Sequence, residues 1–394
     1  MNKVAWFLSH PIQYFSPLLK ELGKKTDLSV FYYSDSSIKG DRDKGFGVPV
    51  KWDTDLLSGY NSRFIRNYAG RKPLNNGFWN VFNPGVIRTI WKQKSAVVIV
   101  NGWSYSSDLM VIFFSRIFGR QVWLRAENPL NQELKKTGFT LTIKKFFLKN
   151  ILFRVFVNKC LYIGTENKKF FEFYGVPAAR LVYTPYAVDN DYFLSKSGEL
   201  KDQNKDIRNR LGLPADKKII LFSGKYIPKK NPMDLLKAFH LLNDDRFALV
   251  MVGEGELRKQ MEQFMLDHDL KQVWLTGFVN QSEIPSYYSI ADVFVMCSGM
   301  GETWGLSVNE AMNFGKPVIV SDTTGCSQDL VKQGQNGFVF PEGDIPALAG
   351  YIREILENDN FRLKAGSYSA EIIQDYSIEV VAENIKKQLA GVTN

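Results

Sequence analysis

Short apolar runs, each followed by a loop rich in glycine, serine or aspartate, set the strongest limit on how this chain can fold. In the second half these loops lead into helical patterns such as the one over 232–242. Uninterrupted apolar runs are typical of strands buried on both faces of a parallel sheet. Repeated strand–loop–helix units predict a doubly wound α/β domain. The predicted strands of this half are Ile219–Phe222, Ala248–Val252, Val273–Leu275, Val293–Met296, Val318–Val320 and Gly337–Phe340.

The first half repeats this scheme with weaker signals. A chain of 394 residues has the length of about two domains, so we predict one α/β domain over 1–195 and another over 206–375. The polar segment 189–205 is interpreted as a linker, and the aromatic, basic segment 41–80 as loops near a binding surface. The predicted strands of the first half are Val4–Leu8, Leu28–Tyr32, Ala96–Val100, Gln121–Leu124 and Leu161–Ile163.

The cysteine and histidine content excludes two kinds of site. Cys160, Cys297 and Cys326 are far apart and form no CxxC pair, which argues against a structural zinc site and against a disulfide scaffold. With only three histidines, a histidine-rich metal centre is excluded as well. The composition is 45% hydrophobic and 23% charged, which is ordinary for a globular protein and excludes disorder as the main state.

Positive charge is concentrated in the first half. Residues 1–190 carry an excess of 15 positive charges, whereas residues 191–394 carry an excess of 6 negative ones. The basic half predicts an anionic partner such as phospholipid head groups, a phosphorylated substrate or nucleic acid, with a solubilising surface as the alternative. The most apolar segment, 139–157, contains four basic residues, which argues against a membrane span. Because its polar residues spread around the helix axis, a packed helix is favoured over a helix that lies on a membrane surface. No secretory signal is recognised, so we expect a cytoplasmic location.

The loop after the predicted strand 293–296 combines glycines with two carboxylates. It contains Gly301-Glu302-Thr303-Trp304-Gly305, and a helix is predicted from Leu306 with Glu310 about one turn into it. Backbone amides at a helix start form an anion site, whereas carboxylates accept charge-assisted hydrogen bonds from hydroxyl groups. A sugar nucleotide offers both a pyrophosphate and hydroxyl groups, so this stretch predicts a sugar-nucleotide site. Two solvated glutamates near a helix start are the alternative.

A second loop, after the predicted strand 219–222, is basic. Gly224-Lys225 and then Lys230 lie between a buried strand and a helix, so both lysines are expected to reach the same crevice as Glu302. Two unit charges at 4 Å interact by about 4 kcal/mol at an effective dielectric constant near 20. Two lysines beside a diphosphate would therefore contribute to binding and would stabilise a leaving group. A solvated basic turn is the alternative.

The order of these motifs resembles the C-terminal half of the retaining glycosyltransferases of the GT-B fold, family 4, of the bacterial polysaccharide and lipopolysaccharide type. The resemblance covers about residues 160–385 and includes the E-x7-E pattern of Glu302 and Glu310 and the phosphate loop with Lys225 and Lys230. Further matching motifs are Gly253-Glu254-Gly255, Gly277-Phe278, Gly315-Lys316-Pro317, Gly325, Gly334-Gln335-Asn336-Gly337 and Gly343-Asp344. The resemblance implies two Rossmann-like domains facing across a cleft, with a final helix within 376–394 that returns to the N-terminal domain.

The resemblance also implies roles in the nucleotide-sugar-binding C-terminal domain. Glu302 would bind hydroxyls of the donor sugar and Glu310 the ribose hydroxyls, while Lys225 and Lys230 would neutralise the diphosphate without a metal ion or another cofactor. The amides of 303–306 would face the diphosphate and Gly277-Phe278 the base, which is uracil in most of the family. The implied donor-binding residues are Gly224, Lys225, Lys230, Gly253, Gly277, Phe278, Glu302, Thr303, Trp304, Gly305, Leu306 and Glu310.

The N-terminal half departs from the common family pattern, which often has a Gly-Gly loop after the first strand. Here the loop is Ser9-His10-Pro11-Ile12-Gln13-Tyr14-Phe15, similar to a subgroup of bacterial polysaccharide glycosyltransferases. His10 would contact donor or acceptor, or it is structural; Glu127 is a general base or pairs with Arg125. The implied acceptor-binding residues are His10, Gln13, Arg125, Glu127 and Asn128. The candidate catalytic residues are Glu302, Lys225, Lys230, His10 and Glu127.

The function that the resemblance implies is transfer of a sugar from a nucleotide-sugar, by family preference a UDP-sugar, to a hydroxyl of a saccharide acceptor. The basic N-terminal domain and its aromatic loops favour a lipid-linked acceptor in cell-surface polysaccharide or lipopolysaccharide synthesis, at the inner face of the cytoplasmic membrane. The alternatives are a sugar-nucleotide epimerase of the same fold, which three histidines disfavour, and a non-enzymatic protein that binds an anionic polymer. The sequence contains no recognised nucleic-acid-binding motif, so nucleic acid is not an expected partner.

Overall fold

The computed structural model describes residues 3–38, 55–70 and 77–392. These residues divide into two compact units: the first contains the described residues up to Tyr186 together with 378–392, and the second contains 187–377. Much of the segment predicted as loops near a binding surface, namely 41–54 and 71–76, lies outside the described residues.

The first unit is built on a parallel sheet. Its strands are β1 Lys3–Leu8, β2 Asp27–Tyr32, β3 Asn61–Phe64, β4 Val97–Asn101, β5 Gln121–Arg125, β6 Lys159–Tyr162 and β7 Leu181–Tyr183. They are ordered β3-β2-β1-β4-β5-β6-β7. In β1, Val4 lies opposite Leu28 of β2 on one side and opposite Val97 of β4 on the other. This central place explains why β1 is buried from Val4 to Leu8 and reads as a continuous apolar run.

Helices cover the faces of this sheet. They are α1 Ser16–Lys25, α2 Gly85–Gln93, α3 Ser106–Ile117, α4 Leu130–Leu134, α5 Phe139–Phe146 and α6 Thr165–Phe173, with short 3₁₀ turns at Ser36–Ile38, Phe78–Asn80 and Ala178–Arg180. At the start of α3, the Asp108 carboxylate accepts a hydrogen bond from the Tyr105 amide at 3.0 Å. A carboxylate at this place satisfies an amide that has no partner within the helix.

The most apolar segment of the sequence forms α5 and then a π-helix over Phe147–Phe156. Leu148, Leu152 and Phe153 of the π-helix are buried in the core of the unit, in agreement with a packed helix. Ile143 and Val155 point to solvent. In the part of the chain that the structure describes, no helix combines the length and the apolar character that a bilayer crossing requires.

The second unit contains a second parallel sheet. Its strands are β8 Lys218–Ser223, β9 Phe247–Val252, β10 Val273–Leu275, β11 Val293–Met296, β12 Val318–Ser321 and β13 Gly337–Phe340. Their order is β10-β9-β8-β11-β12-β13. Each strand predicted for this half is present within one residue of its predicted bounds. The predicted fold class, α/β with two doubly wound Rossmann-like sheets, is confirmed.

Nine helices accompany this sheet within residues 187–377. They are α7 Asn190–Leu200, α8 Asn204–Arg210, α9 Pro232–Leu242, α10 Arg258–Asp267, α11 Ile284–Ile290, α12 Leu306–Asn313, α13 Ser327–Leu330, α14 Ile345–Glu357 and α15 Asp359–Ile372, with 3₁₀ turns at Pro228–Lys230 and Ile373–Tyr376. The segment 189–205, predicted as a linker, is mostly helical and belongs to the second unit. Asp189 caps α7 by accepting from the Tyr192 amide, and Phe193 is fully buried.

The last helix, α16 Ile378–Ala390, is part of the first unit although the chain reaches it from the second. It lies beside α1, where Lys25 Nζ is 2.7 Å from Glu383 Oε1. Asn384 Nδ2 donates to the carbonyl of Tyr183 in β7 at 3.1 Å. Its inward face, which includes Ile385, is buried.

In both sheets the strands are parallel, so their carboxyl ends share one edge. Ligands of doubly wound sheets bind at this edge, at the point where the strand order reverses. In the second sheet the order reverses between the neighbouring strands β8 and β11, and in the first sheet between β1 and β4. The loops after β8 and β11 carry the predicted lysines and Glu302, and the loop after β1 carries His10.

Candidate functional site

The loops after β8 and β11 meet through charged side chains. Glu302 Oε2 accepts a hydrogen bond from Lys230 Nζ at 2.5 Å and lies 3.6 Å from Lys229 Nζ. The Gly299 amide donates to the Lys229 carbonyl at 2.8 Å, which fixes the two loops against each other. Glu302 is only 7% exposed. One buried carboxylate and two ammonium groups therefore stand together at the carboxyl edge of the second sheet.

The neighbouring lysines determine the charge state of Glu302. Burial alone would raise the pKa of its carboxyl group, but attraction to Lys230 and Lys229 outweighs burial and the pKa is lowered. The pKa of Lys229 is also lowered, because burial together with repulsion from Lys230 and Lys225 outweighs the attraction to Glu302. A cluster of cations can hold a diphosphate, and an ionised carboxylate beside it can accept hydrogen bonds from hydroxyl groups.

The lysines come from one short segment. Lys229 and Lys230 are consecutive residues of the 3₁₀ turn Pro228–Lys230, and both ammonium groups lie within ion-pair distance of Glu302. Lys225 lies earlier in the same loop, near enough that its charge helps to lower the pKa of Lys229. Lys225 and Lys230 were predicted from the sequence, whereas Lys229 is an additional site residue. A Pro-Lys-Lys-Asn turn between a strand and a helix was the signal that would have included it.

The glycine-rich loop before α12 places its backbone at the same edge. Gly305 precedes the helix with a φ of +105°, a conformation that favours glycine. A Cβ atom at this position would lie 2.6 Å from the sulfur of Met296. Trp304 is buried and its indole N–H donates to Asn309 Oδ1 at 2.9 Å, so its ring belongs to the core. Any contact of Trp304 with a ligand would therefore use its backbone, as it would for the amides of Thr303 and Leu306.

Glu310 lies on α12, eight residues after Glu302, and is buried. Its Oε2 accepts a hydrogen bond from the Tyr288 hydroxyl of α11 at 2.7 Å. The Tyr288 ring stacks on Phe314, with ring centroids 5.8 Å apart. These contacts fix the orientation of the Glu310 carboxylate, and they identify Tyr288 as a second site residue that was not predicted from the sequence.

Three predicted donor-binding glycines meet where the loops after β8, β9 and β10 converge. The Gly253 amide donates to the Gly277 carbonyl at 3.0 Å, and the Gly224 amide donates to the Val252 carbonyl at 2.9 Å. A Cβ atom on Gly253 would lie 1.9 Å from the Gly224 carbonyl oxygen. Glycine at 253 is therefore required for close approach of two backbones. Phe278, beside Gly277, is partly exposed.

His10 and Gln13 lie in the loop after β1, at the carboxyl edge of the first sheet. His10 Nδ1 is 2.9 Å from Ser9 Oγ. The side-chain oxygen of Gln13 is buried and has no hydrogen-bond partner among the described residues. An unsatisfied buried acceptor costs about 1–3 kcal/mol, so Gln13 is suited to accept a hydrogen bond from a ligand.

Arg125, at the end of β5, is buried between two aromatic rings. Its guanidinium carbon lies 5.1 Å from the ring centroid of Phe15 and 5.0 Å from that of Tyr186. Nη1 donates to the carbonyl and the hydroxyl of Thr184, both at 3.2 Å. Burial lowers the pKa of Arg125, against the attraction of Glu127. The contact with Phe15 joins the loop after β1 to the loop after β5.

Glu127 and Asn128 follow Arg125 in the loop after β5. Glu127 Oε1 lies 3.9 Å from Arg125 Nε, which is an ion-pair distance but too long for a hydrogen bond. Asn128 is held through its backbone, since its carbonyl accepts from Asn167 Nδ2 at 2.9 Å. Glu127 is therefore a charged neighbour of Arg125, and Asn128 is fixed in place by the start of α6.

Comparison with known proteins finds relatives that are glycosyltransferases. Residues 203–372 match the family described as glycosyl transferases group 1. Alpha-D-kanosaminyltransferase of Streptomyces kanamyceticus is 26% identical over 223 residues, which cover 55% of each chain. Phosphatidyl-myo-inositol mannosyltransferase of Mycobacterium leprae is 30% identical over 181 residues, 45% of this chain and 47% of the relative. The chain spans about half the length of the curated relatives it matches.

Solved structures resemble the whole chain. Alr3699/HepE of Anabaena, crystallised in complex with UDP, superposes with a TM-score of 0.75 at 18% identity, covering 98% of this chain and 99% of that one. A likeness at this level of identity concerns the fold. Residues 203–372 therefore resemble the glycosyl transferases group 1 family, and the two units of the chain have the GT-B fold.

Proposed function

We propose that the protein is a retaining glycosyltransferase that moves a sugar from a UDP-sugar to a hydroxyl of a saccharide acceptor, without a metal ion or another cofactor. The observation that carries the proposal is the position of Glu302 between Lys229 and Lys230 where the strand order of the second sheet reverses. This combination suits a ligand with both a diphosphate and hydroxyl groups. The uracil base is taken from Alr3699/HepE, which was crystallised with UDP.

The second unit would bind the donor. Lys225, Lys229 and Lys230 would neutralise the diphosphate, and the amides of 303–306 would donate to its oxygens. Each charged hydrogen bond is worth about 1.5–3 kcal/mol. Glu302 would then exchange a lysine partner for a hydroxyl of the donor sugar.

The nucleoside would lie farther along the same edge. Glu310, oriented by Tyr288, would accept hydrogen bonds from the ribose hydroxyls. The backbone of Gly277-Phe278, which meets the loops of Gly224 and Gly253, would flank the base. All these groups belong to the second unit.

The chemical step would need positioning and electrostatic stabilisation more than a protein nucleophile. The acceptor oxygen forms a bond to the anomeric carbon on the face from which UDP departs, and the bond between that carbon and the phosphate oxygen breaks. The acceptor proton passes to the departing phosphate oxygen. Lys225 and Lys230, with Lys229, would stabilise the negative charge that develops on UDP, and Glu302 would hold the sugar in place.

The first unit would bind the acceptor through His10, Gln13, Arg125, Glu127 and Asn128. The unpaired oxygen of Gln13 supports this role, because a hydroxyl of the acceptor would satisfy it. His10 would contact donor or acceptor. Glu127 would keep Arg125 in place; the alternative is that Glu127, instead of the phosphate oxygen, takes the acceptor proton. The pH dependence of the Glu127→Gln variant would separate these roles.

The acceptor would be lipid-linked and would serve cell-surface polysaccharide or lipopolysaccharide synthesis at the inner membrane face. The excess of 15 positive charges over residues 1–190 supports contact with an anionic surface. A relative named phosphatidyl-myo-inositol mannosyltransferase supports a lipid acceptor. Full activity on water-soluble acceptors, together with no binding to vesicles that contain phosphatidylglycerol, would contradict this part.

The test of the reaction is UDP release from a panel of UDP-sugars and saccharide acceptors, with the anomeric configuration of the product read by proton NMR. The proposal predicts release that is unchanged in EDTA and a product that keeps the donor's anomeric configuration. An inverted linkage would contradict retention. Activity that EDTA abolishes and magnesium restores would contradict metal independence, and UDP binding without any turnover would contradict an enzymatic role.

A further inference from the structure

The first unit contains an apolar cavity that has no part in the site described above. It has a volume of about 400 Å³ and lies between α3, the 3₁₀ turn Phe78–Asn80 and the π-helix. Its walls include Trp79, Met110, Phe113, Phe147, Leu152 and Phe156. Trp79 is 67% exposed and Phe113 46% exposed, so the cavity reaches the surface between two large aromatic side chains.

The side chains that line the cavity are suited to a hydrocarbon ligand. Apart from the indole N–H of Trp79, the polar side-chain group among the described residues that line the cavity is the Ser106 hydroxyl. This hydroxyl donates to the Val81 carbonyl at 2.6 Å, so that donor is already used. A polar ligand would lose its hydration here without gaining partners. A hydrocarbon chain would gain burial of apolar surface.

The size fits one chain. An apolar cavity of about 150 Å³ holds benzene, so 400 Å³ holds roughly sixteen carbon atoms at the same density. The residues of α3 that line the cavity run from Ser106 to Phe114, which at 1.5 Å per residue is about 12 Å of helix. The cavity is thus long enough for an alkyl or prenyl segment.

The position of α3 connects the cavity with the acceptor residues. This helix follows β4, and Ser106 is its first residue. The cavity therefore begins near the carboxyl edge of the first sheet, the edge that also bears His10, Gln13 and Arg125. From there it leads along α3 toward exposed Phe113. A ligand with a saccharide at the edge and a chain in the cavity would occupy both.

Charge argues for a lipid and against a second copy of this protein. Each of Arg116, Lys149 and Arg154 lies two residues along the chain from a residue that lines the cavity, and each is exposed. None of them has an acidic partner within ion-pair distance in the described ranges. With an excess of 15 positive charges over residues 1–190, a second copy would be repelled, whereas the anionic head group of a lipid would be attracted.

We propose that this cavity binds the hydrocarbon chain of the lipid-linked acceptor. The inference rests on the proposed function, because it takes the acceptor from there. The chain would be held by Met110, Phe113 and Phe156 while the saccharide reaches the carboxyl edge of the sheet. Exposed Trp79 would lie at the entrance. Chain length, and not only saccharide structure, would then set the affinity for the acceptor.

The binding test titrates hexyl, octyl, decyl and dodecyl β-glucosides, below their micellar concentrations, into the full chain by calorimetry. Burial of each methylene is worth about 0.8 kcal/mol, so affinity should rise about fourfold per methylene. Met110→Trp narrows the cavity and should reduce dodecyl glucoside affinity at least tenfold. Ile117→Trp adds the same indole on an exposed part of α3 and should leave affinity unchanged. The proposal that the alkyl chain binds in this cavity is overturned if affinity does not depend on chain length. It is also overturned if both variants lose dodecyl glucoside affinity to the same extent.

The second test separates the inference from the proposed function. UDP affinity of Met110→Trp should equal that of the unchanged protein, because the donor site lies in the second unit, and an unchanged thermal unfolding curve should show that the first unit is folded. UDP release should require less dodecyl than hexyl glucoside as acceptor, and Met110→Trp should remove this difference. The assignment to the acceptor is overturned if the glucosides bind but no UDP is released. It is also overturned if the rate of UDP release does not depend on the length of the alkyl chain. A dimer that Met110→Trp dissociates in sedimentation velocity assigns the cavity to a second copy and also overturns the proposal. Absence of UDP binding would instead contradict the proposed function.

Discussion

Lys230 Nζ and Glu302 Oε2 lie 2.5 Å apart, across the reversal of strand order between β8 and β11. The two residues are separated by 72 positions in sequence, and the parallel pairing of β8 with β11 brings their loops together. A buried carboxylate with this partner has little freedom to act as a nucleophile. When Lys230 binds a diphosphate, the Glu302 carboxylate can instead accept a hydrogen bond from a sugar hydroxyl.

Replacement of Glu302 should separate turnover from nucleotide affinity. In Glu302→Gln the lysines lose their competing carboxylate, so UDP should bind as tightly as before or more tightly. Turnover should fall by about 10- to 150-fold, because a charged hydrogen bond to the donor sugar is worth about 1.5–3 kcal/mol. UDP titration and UDP release measure the two effects, with Glu262→Gln on α10 as an exposed control. An equal fall in both quantities would assign Glu302 to the nucleotide.

Replacement of the lysines should give a graded series. Lys230→Met removes the closest cation from the diphosphate site and should weaken UDP binding about 10- to 100-fold. It should also lower thermal stability, because Glu302 remains buried with one cation fewer. Lys229→Met should have a smaller effect on both, since its ammonium is 3.6 Å from Glu302. If Lys230→Met bound UDP normally, the diphosphate would have to lie elsewhere.

Replacement of Glu310 should remove recognition of the ribose. Glu310→Ala should weaken UDP binding by about 1.5–3 kcal/mol, and it should bind UDP and 2′,3′-dideoxy-UDP equally. The unchanged protein should prefer UDP. Tyr288→Phe, which only removes the hydrogen bond that orients Glu310, should keep part of this preference. A preference for UDP that survives in Glu310→Ala would place the ribose away from α12.

Asp108 should make stability depend on pH. Burial raises the pKa of its carboxyl group to about 7, above the value near 3.9 of an unfolded aspartate. At pH values between these two pKa values, the folded state keeps a proton on Asp108 that the unfolded state has lost. The free energy of unfolding therefore falls as the pH rises from about 4 to 7, and it stays low above pH 7. Asp108→Asn keeps an acceptor for the Tyr105 amide and avoids the buried charge. It should stabilise the protein at pH 8 by about 2–4 kcal/mol and much less at pH 5.

Thermal unfolding at pH 5 and pH 8 measures this difference. Asp344→Asn is the matched control, because Asp344 also accepts from a helix-start amide, that of Ala347, and is partly exposed. A melting temperature of Asp108→Asn below that of the unchanged protein at pH 8 would contradict the prediction. It would mean that the start of α3 stabilises the charge more than burial opposes it.

The apolar runs of the sequence predict most of the strands, and the elements that they do not predict have physical reasons for lacking such a pattern. A strand buried on both faces, such as β9, must be apolar throughout, so its sequence identifies it. β3 lies at the edge of the first sheet and is largely exposed, so Asn61–Phe64 has no apolar run to recognise. The polar surface of α7 predicts a linker, although Phe193 anchors this helix in the core.

The site was predictable where loop order alone brings residues together. Glu302 and Lys230 follow neighbouring strands, and a doubly wound sheet places such loops side by side. Lys229 and Tyr288 required the geometry of a 3₁₀ turn and the packing of α11 beside α12. The enclosure of Arg125 by Phe15 and Tyr186 joins residues that are distant in sequence. No local pattern encodes such contacts.

The most direct test of the central claim is a thermal-shift panel of UDP, GDP, ADP and CMP, with and without EDTA, on the unchanged protein and on Lys230→Met. A ligand at 100 times its dissociation constant stabilises by about 2.7 kcal/mol, which raises the melting temperature by several degrees. A metal-independent nucleotide-sugar site should give a melting-temperature shift with UDP that EDTA leaves intact and that Lys230→Met largely removes. A shift that needs a divalent metal, or none with any of these nucleotides, would contradict a metal-independent nucleotide-sugar site at Glu302 and Lys230.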